Sequence, residues 1–244
     1  MIEQEIDLDA PDGVMKTFVY HPSHGGPHPV VLYLMDAPSI RPALKDMAMR
    51  LASAGYYVML PYLFYRGGPY REFGMSDEDM HARQELMGTV TKANIVGDAE
   101  TLLAHAAADP AAADDVPVGA VGFCMSGGLV IALARAMPER VKAVASIHGA
   151  WLVTDQPDSP HLGLDAVTAE VYLGWADNDP TAPPEHVPVM REALEKAGVR
   201  HTIDFLDFFP DAVHGYAPAG PRFHRDASEL HWERVHALLR ANVG

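Results

Sequence analysis

Cysteine occurs once in the 244 residues, at position 124. A single thiol excludes an internal disulfide and a multi-thiolate metal centre, so Cys124 is either a buried small hydrophobe or a reactive group. Basic residues are also scarce: 18 Lys and Arg stand against 33 Asp and Glu, a formal charge of -15. Such a surface repels phosphate backbones and anionic lipid, which argues against nucleic acid and membrane as partners. No apolar run approaches spanning length, and Met1-Ile2-Glu3-Gln4-Glu5 has neither the basic start nor the apolar stretch of a signal peptide. A cytoplasmic protein is expected. No internal repeat is visible, and the one biased tract, Ala104 to Ala113, reads as a helix end followed by a solvated loop.

What is present suits a packed core. The hydrophobic fraction is 48% and the charged fraction 21%, and a chain of this length is within reach of one α/β domain, expected to span 1–244. Ile2 to Leu8 and Met15 to Tyr20 read as an antiparallel hairpin around Pro11-Asp12-Gly13. The unbroken apolar run Val30 to Met35 reads as a strand buried on both faces, with Asp36 at its C-terminal end. A helix from Pro42 to Ala54, stopped by Gly55, leads to a strand at Tyr56 to Leu60. After a looser segment, Pro61 to Met75, Ser76 and Asp79 fit a capping box, and a long helix follows around Ile95 to Ala107. Strands at Val118 to Val121, Val141 to Ile147, Ala169 to Leu173 and His201 to Phe205 then alternate with helices at Leu129 to Ala136, Glu185 to Ala197 and Ala227 to Arg240. Alternation of this kind predicts an α/β fold with a mostly parallel central sheet and helices on both faces.

Gly122-Phe123-Cys124-Met125-Ser126-Gly127-Gly128 lies between an apolar strand and an apolar helix, the setting of a nucleophile elbow. The turn is so sharp that the residues two before and two after the nucleophile must be small, and Gly122 and Ser126 meet that condition around Cys124. It also presents the thiol at the start of a helix, where dipole and free amides favour thiolate, and makes the Met125 amide one half of an oxyanion hole. Ser126 is the rival nucleophile, since Gly128 lies two residues after it, but Cys124 rather than glycine lies two before. A phosphate-binding loop is set aside, because no Lys follows Gly127-Gly128 and there is no G-x-G-x-x-G.

A thiol needs a base to take its proton and a carboxylate to fix the base's tautomer; on this fold they follow in the order acid, then histidine. Asp177 follows a strand in Gly174-Trp175-Ala176-Asp177-Asn178-Asp179 and is assigned as the acid, with Asp179 as its rival. His214, in Asp211-Ala212-Val213-His214-Gly215-Tyr216 between the last strand and the last helix, is assigned as the base.

On these motifs the sequence resembles the dienelactone hydrolase family, and the resemblance covers nearly the whole chain. The family's G-x-C-x-G-G elbow is matched by Gly122, Cys124, Gly127 and Gly128, with Ser126 inserted before the glycine pair; its G-x-x-D and H-G-[FY] segments support Asp177 and His214. The resemblance implies an α/β-hydrolase fold and cleavage of an ester or lactone of a small carboxylic acid, through a thioester on Cys124 and without metal or cofactor. It implies that Asp36, in place of the usual Glu, contacts the resting thiol, and that the Ala37 amide completes the oxyanion hole with Met125. Arg66, His148 and Trp151 are further candidates for the pocket lining. A monomer or homodimer acting on a small molecule is expected. The competing reading is a small-molecule binder or redox-sensitive protein on the same scaffold. Family members that act on dienelactone itself carry an Arg shortly after the base for the substrate's free carboxylate; here Pro218 stands there, with Arg222 and Arg225 further on, so neutral esters and lactones are the expected substrates.

Overall fold

In the computed structural model, which describes residues 1–74, 76–209 and 211–244, the chain forms two compact units, Met1–Val116 and Pro117–Gly244. Met75, the last residue of the looser segment, lies outside the described residues.

In the first unit β1 (Ile2–Ala10) and β2 (Gly13–His21) pair antiparallel with Ala10 opposite Gly13, so Pro11 and Asp12 alone make the turn. Glu3, Glu5, Asp7 and Asp9 recur at every second position of β1 and are exposed, a row of charge that discourages pairing with another chain. Next in chain order come β3 (His28–Leu34), α1 (Pro42–Ser53) and β4 (Tyr57–Pro61). They form the β-α-β unit that the apolar run and the Gly55 stop foretold, with β3 parallel to β4 and β2 antiparallel to β4. Pro42 fits the first helical position, and α1 buries Leu44, Met47, Ala48, Leu51 and Ala52. α2 (Asp77–Met87) begins at Ser76, whose hydroxyl accepts from the Asp79 N–H as the capping box requires, and no residue of α2 is buried.

α3 (Asn94–Ala108) buries Ile95, Asp98, Leu102 and Leu103. The Ala104–Ala113 tract departs from expectation at its end: Ala112 and Ala113 form a buried two-residue strand, β5, parallel to β3 at His28 and Pro29. Pairing with β3 supplies the burial that helix propensity could not register. Asp98 is fully buried yet satisfied, accepting from the Tyr65 hydroxyl (2.6 Å) and from two nitrogens of Arg66 (2.8 and 2.9 Å).

The second unit is parallel throughout. β6 (Val118–Phe123) runs through a 3-10 turn at Cys124–Ser126 into α4 (Gly127–Ala136), and β7 (Val141–Ile147), β8 (Glu170–Trp175), α5 (His186–Ala197), β9 (His201–Phe205) and α6 (Arg225–Asn242) follow. β6 pairs with β7, β7 with β8 and β8 with β9. Every residue of β6 and every residue of α4 from Gly127 to Ala134 is buried, as expected of a strand and helix inside a layered α/β core. The C-terminal ends of these strands deliver Cys124, His148, the Asp177–Asp179 turn and the loop with His214. Among the described residues no helix is long and apolar enough to cross a membrane.

Removing one partner of a buried ion pair leaves the other charge stranded, at about 3–5 kcal/mol. Asp98→Ala is therefore expected to lower the unfolding free energy by about 3 kcal/mol in urea denaturation. Asp12→Ala, at an exposed partner of the same arginine, is expected to cost less than about 1 kcal/mol.

Candidate active site

The elbow is set by two steric facts. A Cβ on Gly122 would lie 2.3 Å from the Ser126 carbonyl oxygen, so only glycine lets the turn close. Cys124 itself has φ +53°, a left-handed conformation that costs a non-glycine residue about 1–2 kcal/mol. Its carbonyl accepts from the Ala150 N–H at 2.9 Å, which ties the strained residue to the loop after β7. Cys124 is partly exposed, whereas Ser126 is fully buried at the head of α4, so the rival nucleophile is not presented to a substrate. Met125 follows the thiol directly at the head of that helix.

The carboxylate that meets His214 is not the expected one. Asp177 leaves β8 with its backbone N–H donating to the Ala212 carbonyl, and its half-exposed side chain accepts from Asn178 at 3.1 Å. Asn178 then takes φ +49°, and this reversal turns Asp179 inward, where it is 2% exposed. Oδ1 of Asp179 accepts from the Thr181 N–H at 2.8 Å and from the Thr181 hydroxyl at 2.7 Å. Oδ2 accepts from His214 Nδ1 at 2.5 Å. The carboxylate that holds the histidine is thus Asp179 and not Asp177.

With Nδ1 committed to Asp179, the other ring nitrogen is left free of that bond, and Cys124 is near enough to act on the titration of His214. Burial disfavours the imidazolium. The hydrogen bond to Asp179 and the interaction with Cys124 outweigh burial and push His214 up to about 10. Burial likewise pushes the Asp179 carboxyl up, but the bonds from His214 and Thr181 prevail and hold it below its ordinary value.

Of the remaining candidates, His148 is buried with φ +40°, its ring edge-to-face on His214 with 5.2 Å between centroids. It is a wall for the base rather than an open pocket residue. Trp151 is 45% exposed, has φ +52°, and donates its N–H to the Thr181 carbonyl at 2.9 Å. In the first unit the carboxylate of buried Asp36 is gripped by both terminal nitrogens of Arg41, at 2.6 and 2.9 Å. Arg66 does not serve as a free pocket cation: its Nε donates to Asp12 at 2.7 Å and its other two nitrogens to Asp98. Ala37 lines a cleft of 310 Å³ with Pro38, Met80, Arg83, Gln84 and Met87.

The sequence reading missed Thr181. The signal was there in Asp179-Pro180-Thr181, since an Asp side chain commonly accepts from the backbone N–H two residues on. Arg222, flagged only as a distant substitute, donates to the His214 carbonyl at 3.3 Å and shares with Asp179, Thr181 and His214 a cavity of 290 Å³.

The family model for the dienelactone hydrolase family matches residues 15–243. A provisionally named carboxymethylenebutenolidase of Synechocystis is 27% identical over 230 residues, covering 93% of this chain and 91% of its own. Among solved structures, a provisionally assigned dienelactone hydrolase from Klebsiella pneumoniae superposes with a TM-score of 0.85 at 22% identity, covering 98% of both chains. The dienelactone hydrolase from Anabaena variabilis gives 0.66 at 20% identity over 100% of this chain and 99% of its own. These likenesses show the α/β-hydrolase fold.

The arrangement fixes the sign of one titration. Because Asp179 stabilises the protonated ring, Asp179→Asn is expected to lower the His214 pKa from about 10 by at least about one unit, or 1.4 kcal/mol. NMR titration of the His214 ring carbons in both proteins measures it; an unchanged value would mean that the Asp179 contact does not govern the base.

Proposed function

The chain belongs to the dienelactone hydrolase family and is a carboxylic ester or lactone hydrolase, and we propose that it works through a Cys124–His214–Asp179 triad and a thioester acyl-enzyme. The observation that carries this reading is the placement of His214, bonded through Nδ1 to buried Asp179 and close enough to Cys124 for the thiol to raise its proton affinity.

In the proposed reaction the Cys124 thiolate attacks the substrate carbonyl carbon, and the negative charge that develops on oxygen is met by the Met125 amide at the head of α4. Collapse of the tetrahedral intermediate breaks the ester C–O bond, and His214 gives its proton to the departing alkoxide. The neutral imidazole then takes a proton from water, whose hydroxide attacks the thioester and expels the thiolate. The products are the carboxylic acid and the alcohol, or a single hydroxy acid from a lactone. A lone thiol kept reduced suits the cytoplasm, where we place the enzyme.

The triad is tested by four substitutions assayed on a chromogenic ester. Cys124→Ala is expected to abolish turnover and Ser126→Ala to keep most of it. Asp179→Asn is expected to lower kcat/KM on the order of 10³–10⁴-fold, since it disturbs the tautomer and orientation of the base, whereas Asp177→Asn changes it by less than about tenfold. A dead Asp177→Asn beside an active Asp179→Asn would reverse the choice of acid.

Pro218 leaves the position after the base without a charge or a backbone donor, and Arg222, which lines the His214 cavity, has one nitrogen turned to the His214 carbonyl. On this basis we assign neutral or weakly polar esters and lactones as substrates. Comparison of kcat/KM for dienelactone and a neutral lactone of similar size, at two salt concentrations, decides the point. A tenfold or greater preference for dienelactone, about 1.4 kcal/mol, that weakens with salt would overturn it.

A further inference from the structure

The terminal torsion of an Asp side chain is broad, so a carboxylate aims an oxygen at a fixed target only if something else holds its plane. For Asp179 that something is a single residue. Thr181 gives both its N–H and its hydroxyl to Oδ1, at 2.8 and 2.7 Å, and this leaves Oδ2 to His214 Nδ1. Because the Thr181 hydroxyl proton is spent on Asp179, its oxygen can only accept from His214, and it stands 3.4 Å from the same Nδ1. The Thr181 carbonyl accepts the N–H of Trp151, whose neighbour Ala150 donates to the carbonyl of Cys124 at 2.9 Å. Thr181 is therefore attached to the acid directly and, through two consecutive residues, to the nucleophile's backbone.

Resting on the hydrolase reading above, we infer that Thr181 is the positioning residue of this triad: its hydroxyl fixes the plane of the Asp179 carboxylate, and so the ring orientation of His214 toward Cys124. Its side-chain hydroxyl bonds Asp179 and stands beside His214 Nδ1, on the side of the ring that the acid occupies. Thr181→Val removes the hydroxyl at nearly constant shape and keeps the backbone bond to Oδ1, which isolates the hydroxyl's share. Thr181→Ser keeps the hydroxyl and is the conservative rescue.

Thr181→Val is expected to lower kcat about tenfold with KM within about twofold, the size of one hydrogen bond to a charged group, and Thr181→Ser to restore kcat to within about twofold of wild type. A role confined to stability would leave kcat per folded molecule unchanged and would not be rescued selectively by Ser. The second readout needs no turnover: in proton NMR the His214 Nδ1–H should give a low-field signal in the wild type, lost in Asp179→Asn, displaced upfield and broadened in Thr181→Val, and retained in Thr181→Ser. Should Thr181→Val fail to fold by circular dichroism, Thr181→Ala provides the same comparison. If the wild type hydrolyses no ester or lactone, the hydrolase reading fails while the NMR series still judges the positioning role. A Thr181→Val protein with wild-type kcat and an unmoved Nδ1–H signal would overturn the inference.

Discussion

A carboxylate buried to 2% exposure is charged against its surroundings, and everything at the head of the second unit depends on how Asp179 stays so. Three donors supply the answer, two from Thr181 and one from His214. Their effect exceeds that of burial, which is why the Asp179 carboxyl is held low and the imidazole is pushed up. The same bonds choose the tautomer: Nδ1 carries its proton toward Asp179, which leaves the opposite nitrogen to exchange protons. Asn178, His148, Trp151 and Cys124 all take left-handed backbone conformations around this centre. Each is disfavoured alone, and backbone bonds from His148 to Gly174, from Ala150 to Cys124 and from Trp151 to Thr181 bind the strained segments into one arrangement.

The elements of the fold were legible because each is dictated locally. The run Val30 to Met35, the Ser76 cap and the Gly55 stop place a strand, a helix start and a helix end from neighbouring residues alone. The elbow was legible for the same reason, since its demand for a small residue at 122 is a contact with Ser126, four positions away. The acid was not. Asp177 and Asp179 differ by one left-handed residue in a turn, and which one points inward is decided by Asn178 and by the clasp of Thr181. Spacing from a strand end cannot see that, although the Asp-x-Thr pattern carries a trace of it. The two-residue β5 was invisible because its order comes from pairing with β3, more than eighty residues earlier.

Charge composition explains where the arginines went. With 33 acidic residues against 18 basic ones, internal carboxylates compete with a substrate for the arginines. Arg66 is held by Asp98 and Asp12, and Arg41 by Asp36. The pairing also relieves the acids: Asp98 and Asp36 are both buried, and each would be costly without its guanidinium. A substrate's need for a cation competes with this internal demand, and for Arg66 the internal demand prevails.

The proposed chemistry asks one imidazole to be an acid in the first half of the cycle and a base in the second, which is awkward for a group held near 10. The resolution lies in what holds it there. One part comes from Asp179, which is present throughout; the other comes from the hydrogen bond and charge of Cys124, which exist only while sulfur is free. Once the thiolate has become a thioester, that second part is gone, and burial then acts against the imidazolium with less opposing it. His214 has by then given its proton to the alkoxide, so the neutral ring meets water in an environment that favours the charged form less than the free enzyme does. When the thioester breaks and the thiolate returns, its charge again stabilises the imidazolium that water has just created. The nucleophile thereby adjusts its own base: the step that consumes the sulfur charge lowers the proton affinity of His214, and the step that regenerates it raises that affinity again.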